Sequence, residues 1–83
     1  PTQCEFGYDA EQASCVVQLP TGETLALTQV TLEEPNERDS FVQGFCPSAN
    51  AMGTIHLIQE FGKLSVKEVI IDGETLFEIP TIH

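Results

Sequence analysis

Apolar and polar residues alternate every second position along much of this chain, the spacing of a strand with one buried face. The clearest stretch lies near the C-terminus. There Val66-Lys67-Glu68-Val69-Ile70-Ile71 leads into Asp72-Gly73, and Glu74-Thr75-Leu76-Phe77-Glu78-Ile79 follows. Asp-Gly between two β-prone runs predicts a two-residue hairpin at 72–73, because both central positions of a type I′ turn need positive φ. Pro80 closes the second run, since proline has no N–H to give a ladder.

A second hairpin is predicted at 20–23. Cys15-Val16-Val17-Gln18-Leu19 runs into Pro20-Thr21-Gly22-Glu23, and a long β-prone run from Thr24 to Leu32 returns. Proline presets φ early in a turn and glycine accepts positive φ late in it. On the return run the large apolar residues are Leu25 and Leu27, then Val30 and Leu32. That change of phase predicts a β-bulge near Thr28-Gln29, or a strand that passes from one sheet face to another. Cys4 to Tyr8 and Phe41 to Cys46 alternate as short strands, the latter stopped by Pro47. Between them residues 33–40 are polar and read as an exposed loop.

Residues 48–61 admit two readings. As a helix, Ser48 is the N-cap, Gly62 follows the end, and Ala51, Met52, Ile55, Ile58 and Phe61 share a face. As a strand, residues 54–61 put Ile55, Leu57 and Phe61 on one face, with Gln59 intruding. Gly53, Thr54 and Ile55 are poor helix formers, which favours the strand. The expected fold is therefore all-β: a small single domain over residues 1–83, a sandwich or partly open barrel of about six short antiparallel strands. The alternative is an α+β fold of β-grasp type, with one helix at 48–61.

Composition narrows the function more than the fold. Eighty-three residues make one small domain, too short for a cofactor-binding unit beside a substrate unit. Thirteen Asp and Glu face three Lys and Arg, for a net charge of −10, and residues 1–37 contain no cation at all. Direct binding to a phosphate backbone is not expected, because that affinity comes from Lys and Arg. Apolar runs such as Val69-Ile70-Ile71 stop at three residues, against the roughly 20 of a membrane helix, so no membrane insertion is expected. Residues 1–15 show neither the basic start nor the apolar stretch of a signal peptide. Methionine is readily trimmed before proline, whereas signal peptidases disfavour proline after the cut. If Pro1 follows the initiator methionine, a cytoplasmic or virion protein is expected; otherwise a secreted one is.

Candidate chemistry is sparse. Cys4, Cys15 and Cys46 have no Cys-x-x-Cys spacing, so neither a zinc nor a redox motif is present. At most one disulfide is expected. Cys4–Cys15 is preferred because the two bracket a reversal through Asp9-Ala10-Glu11-Gln12, leaving Cys46 free; the alternative pairs Cys46 with either of them. His56 could in principle serve a cysteine as a base, but no nucleophile motif or oxyanion loop accompanies it. A half-buried polar-face histidine is the expected role. Glu33, Glu34, Glu37 and Asp39 form an acidic stretch that lacks the spacing and glycine bend of a calcium loop. It is expected to be a solvated acidic interaction surface. No metal, cofactor or catalytic set is implied, and no enzyme is expected. Two functions remain. The first is a structural or protein–protein interaction module, a subunit of a larger assembly such as a virion, filament or secreted complex, associating with itself or another protein. The alternative is an acidic inhibitor or nucleic-acid mimic that occupies a basic channel of a target. A mimic would gather its carboxylates on one face; an assembly subunit would present an apolar contact patch.

Overall fold

The computed structural model describes residues 3–80; Pro1 and His83 lie outside them. The chain is all-β, with no helix among the described residues, and hence no helix long and apolar enough to cross a membrane. Seven strands follow one another: β1 Glu5–Asp9, β2 Ser14–Gln18, β3 Thr24–Glu33, β4 Asp39–Cys46, β5 Ala51–Glu60, β6 Lys63–Ile71 and β7 Glu74–Glu78. Each pairs antiparallel with the next, so the spatial order is the chain order, a pure meander. The sheet curls until β1 touches β6, giving a half-barrel whose concave side holds the core.

The turns are those that the residues dictate. Asp72 and Gly73 both have positive φ (55° and 76°) at the β6–β7 reversal. At the β2–β3 reversal, Gly22 has φ 97° and donates its N–H to the Leu19 carbonyl at 2.9 Å. Within 48–61 the chain forms strand, not helix, over Ala51–Glu60: β5 pairs with β4 through residues 51–58 and with β6 through residues 53–60, Pro47 to Asn50 form the tight turn that enters it, and Phe61 lies in the turn that leaves it. Its inward residues Gly53, Ile55 and Leu57 keep a period of two, which a helix cannot turn toward a single face.

Bulges account for the breaks in phase. On β3, Thr28 pairs with Phe45 but Thr31 with Gln43, and Gln29 takes φ 53°. Leu27 and Val30 therefore both point inward, and the Val30 N–H reaches the Ala13 carbonyl at 2.9 Å. On β6 the extra residue is Lys67, which lets Val66 and Val69 both enter the core. On β7 it is Leu76. Each bulge adds twist and helps curl the sheet.

Leu27, Ile55, Val17, Val42, Val69 and Cys46 are fully buried on the concave side. Removing one such aliphatic chain from water is worth about 1.5–3 kcal/mol. The tightest point is the pair Gly44 and Gly53, opposite each other on β4 and β5. A Cβ on Gly44 would lie 2.6 Å from Val30 Cγ1 and 2.8 Å from the Thr28 carbonyl oxygen; one on Gly53 would lie 2.5 Å from Ile71 Cδ1. The two glycines let the β3 bulge and the β6 side chains close over them.

Candidate functional site

Curling leaves one end of the half-barrel open. β1 supplies Phe6 and Tyr8, β3 Leu32, β4 Ser40 and Val42, β5 Leu57 and Gln59, and β6 Leu64, all from the inward-facing set of their strands. These enclose a cleft of about 200 Å³, with Glu34 at its rim. Val42 and Leu57 form a buried floor, whereas Tyr8, Leu32 and Leu64 remain 44%, 44% and 51% exposed. They are inward by register yet wet, because the barrel is not closed above them. The result is an apolar mouth with a mostly neutral lining.

Beside the mouth stands the β5–β6 hairpin. Its two-residue turn is Phe61-Gly62, with φ 54° and 74°. Glycine suits that conformation; phenylalanine does not, since a bulky residue at positive φ crowds its own backbone. Phe61 is fully exposed and touches none of the core. Glu60 and Lys63 pair across the hairpin, as do Gln59 and Leu64, so the tip follows directly on the mouth. Arg38 engages Glu60 at 3.6 Å, whereas Lys63 makes no ion pair among the described residues.

The acidic stretch divides. Glu33 ends β3, and Glu34 and Glu37 are exposed in the following loop. Asp39 opens β4 and is not a free loop carboxylate. One oxygen accepts the His56 imidazole N–H at 2.9 Å and the other accepts the Asn36 side-chain amide at 3.1 Å. The Asn36 side-chain oxygen in turn accepts the N–H groups of Arg38 and Asp39. The hydrogen bond from His56, then that from Asn36, holds the Asp39 carboxyl below its ordinary range. Phe41 stacks on the His56 ring with centroids 4.2 Å apart. Residue 39 pairs with 58 and 41 with 56, so the β4–β5 register makes this cluster.

The neighbouring hydroxyl points away from this cluster. Ser40 faces the cleft, on the opposite side of the sheet from its neighbours Asp39 and Phe41. The three cysteines are free thiols, and the expected Cys4–Cys15 bridge is not made. Register explains this. Cys15 lies opposite Tyr8, at the turn end of the β1–β2 hairpin, while Cys4 precedes Glu5 at its other end. Four residues of strand separate them, roughly 13 Å at the usual rise, against the roughly 7 Å limit for bridged Cα atoms. Burial pushes the Cys15 thiol up to about 11, with a backbone hydrogen bond at Leu27 opposing it, and burial also raises Cys4. Such thiols are poor nucleophiles at neutral pH. Among the described residues no three His, Cys, Asp or Glu side chains converge as a metal set. Comparison with protein-family models, curated proteins and solved structures finds no match.

Sequence reasoning missed both the mouth and the tip. Phe61 reads as the last apolar residue of a strand face, and only the glycine after it hints at a turn. The mouth requires β1 to come round to β6, which no local pattern states.

Proposed function

We propose that this domain is a non-enzymatic protein–protein interaction module, a subunit that associates with itself or with another protein through its open apolar mouth. The single observation that carries this reading is the cleft. Tyr8, Leu32 and Leu64 stay half exposed around a floor of Val42 and Leu57, a contiguous apolar surface that a small domain has reason to cover. The free strand edges are less inviting. β1 begins and ends with Glu5 and Asp9, and β7 with Glu74 and Glu78, while the Leu76 bulge breaks the β7 ladder. Charge and bulges of this kind guard edges against further strand addition. Association through the mouth is therefore favoured over association through edges.

The spread of carboxylates supports the interaction module over the nucleic-acid mimic. They stand on both edge strands, on the β1–β2 and β2–β3 turns (Glu11, Glu23), in the β3–β4 loop and on β6 (Glu68), rather than along one groove. The test uses Leu32→Thr and Leu64→Thr, which keep β propensity while making the mouth polar. Sedimentation of the purified domain, alone over a concentration series and in an extract of its source cells, should show a heavier species that both variants lose. A domain that stays monomeric in both settings, or a heavier species indifferent to both variants, contradicts the proposal.

A further inference from the structure

Resting on the interaction-module reading, we infer that the occupant of the mouth is a second copy of this chain, each copy seating its Phe61 ring in the other's cleft. Three observations converge. First, Phe61 is fully exposed at φ 54°, a conformation that asparagine or glycine would hold with less strain. The position carries a large ring that packs against none of the core. Second, the space fits. A cavity of roughly 150 Å³ lined by apolar side chains holds one benzene ring, and the cleft offers about 200 Å³ lined by Phe6, Tyr8, Leu32 and Leu64. Third, the charges complement. Lys63, one residue past the turn and free of ion pairs among the described residues, travels with the ring, and Glu34 waits at the cleft rim.

Adjacency of tip and mouth sets the symmetry. Leu64 belongs both to the hairpin that carries Phe61 and to the wall of the cleft. When one tip enters a neighbouring mouth, the neighbour's tip is brought to the first mouth, so the contact closes as a two-fold pair. Two rings and their rims bury less than the roughly 1,200 Å² of a standard stable interface. The pair is therefore weak, and the mutual repulsion of two −10 chains weakens it further at low salt.

Sedimentation equilibrium to about 1 mM protein, at about 0.15 M and 1 M salt, tests this. The chain should reach a dimer and stop there, with tighter association in high salt. Phe61→Asn should fold at least as stably, since Asn-Gly suits the turn, yet dimerise about 30-fold more weakly or worse. Lys63→Glu and Glu34→Lys should each weaken the dimer, and the double swap should restore it. Glu34→Lys is the sharper arm, because it lowers the net negative charge, and simple repulsion would make association stronger. A strict monomer at high concentration and salt, open-ended growth, or a dimer untouched by Phe61→Asn overturns reciprocal insertion. If the Phe61→Asn dimer persists but Leu32→Thr abolishes it, the mouth remains an interaction surface and only the occupant is wrong. If neither variant matters, both readings fall.

Discussion

Gly44→Ala adds one methyl group at the most constrained point of the sheet. Its Cβ would stand 2.6 Å from Val30 Cγ1, 2.8 Å from the Thr28 carbonyl oxygen and 3.2 Å from Leu27 Cβ. Ordinary contact begins near 3.4 Å, so the carbonyl must retreat by more than half an ångström. That atom belongs to the β3 bulge, where Thr28 is the last residue paired with β4 before the register shifts. It cannot rotate away as a side-chain tip can. Overpacking of this kind costs about 1–3 kcal/mol, and removing a glycine from the unfolded chain returns about 0.4–1 kcal/mol. The net loss is about 1–2 kcal/mol, which lowers Tm by about 5–15 °C in a domain of this size. Gly53→Ala is the control. Its nearest obstacle, 2.5 Å away, is Ile71 Cδ1, the end of a flexible side chain, and the next, Leu27 Cδ2, is at 3.1 Å. Rotamer changes relieve both, so the loss should be smaller, about 1 kcal/mol or less. Thermal and urea melts followed by far-ultraviolet circular dichroism measure the two side by side. Gly44→Ala melting with the parent, or above Gly53→Ala, would refute the packing at the bulge.

Four further outcomes are expected. Phe61→Asn should raise Tm by a few degrees, about 1 kcal/mol, because the left-handed turn position is costly for a bulky residue and natural for asparagine; a lower Tm would mean that the ring supports its own fold. Gly73→Val, at φ 76°, should lower stability by about 1–2 kcal/mol in the same melts. Asp39 titrates below its unfolded value, so its contribution is fully present above about pH 4 and is lost as pH falls through the lower folded value. The Tm difference between parent and Asp39→Asn should therefore shrink across that window, and a difference constant from pH 6 to about 3 would contradict the His56 hydrogen bond. Thiol titration should find three reactive groups after denaturation without reductant, with Cys4 the first to react in the native state and Cys15 and Cys46 shielded; a single thiol would mean a disulfide and contradict the three free cysteines.

Local chemistry made much of the fold legible. Asp72-Gly73 names a turn because two adjacent positive φ angles suit few other pairs, and the shift from Leu25 and Leu27 to Val30 and Leu32 signals a break in phase, which pairing with β4 resolves as a bulge rather than a strand passing between sheet faces. Residues 48–61 were harder. Their apolar spacing serves a helix face or a strand face, and the decision lay in pairing with β4 and β6 on either side. The functional surfaces were least legible for the same reason. Asp39 meets His56, 17 residues further along the chain, only through the register of β4 against β5, and the mouth exists only once β1 has come round to β6. Phe61 hid behind its own chemistry, since nothing about an aromatic residue advertises a turn.

The central claim, that the mouth is where this domain makes contact, is met most directly by isotope-filtered nuclear Overhauser spectroscopy. One half of the sample carries ¹³C-labelled leucine methyls, the other half is unlabelled, and the filter passes only signals between different molecules. Intermolecular contacts from an aromatic ring to the Leu32 and Leu64 methyls are expected, growing with concentration and vanishing in Phe61→Asn. Contacts that map instead to Leu76 on the β7 edge strand, or none at a concentration where sedimentation finds a dimer, would contradict it.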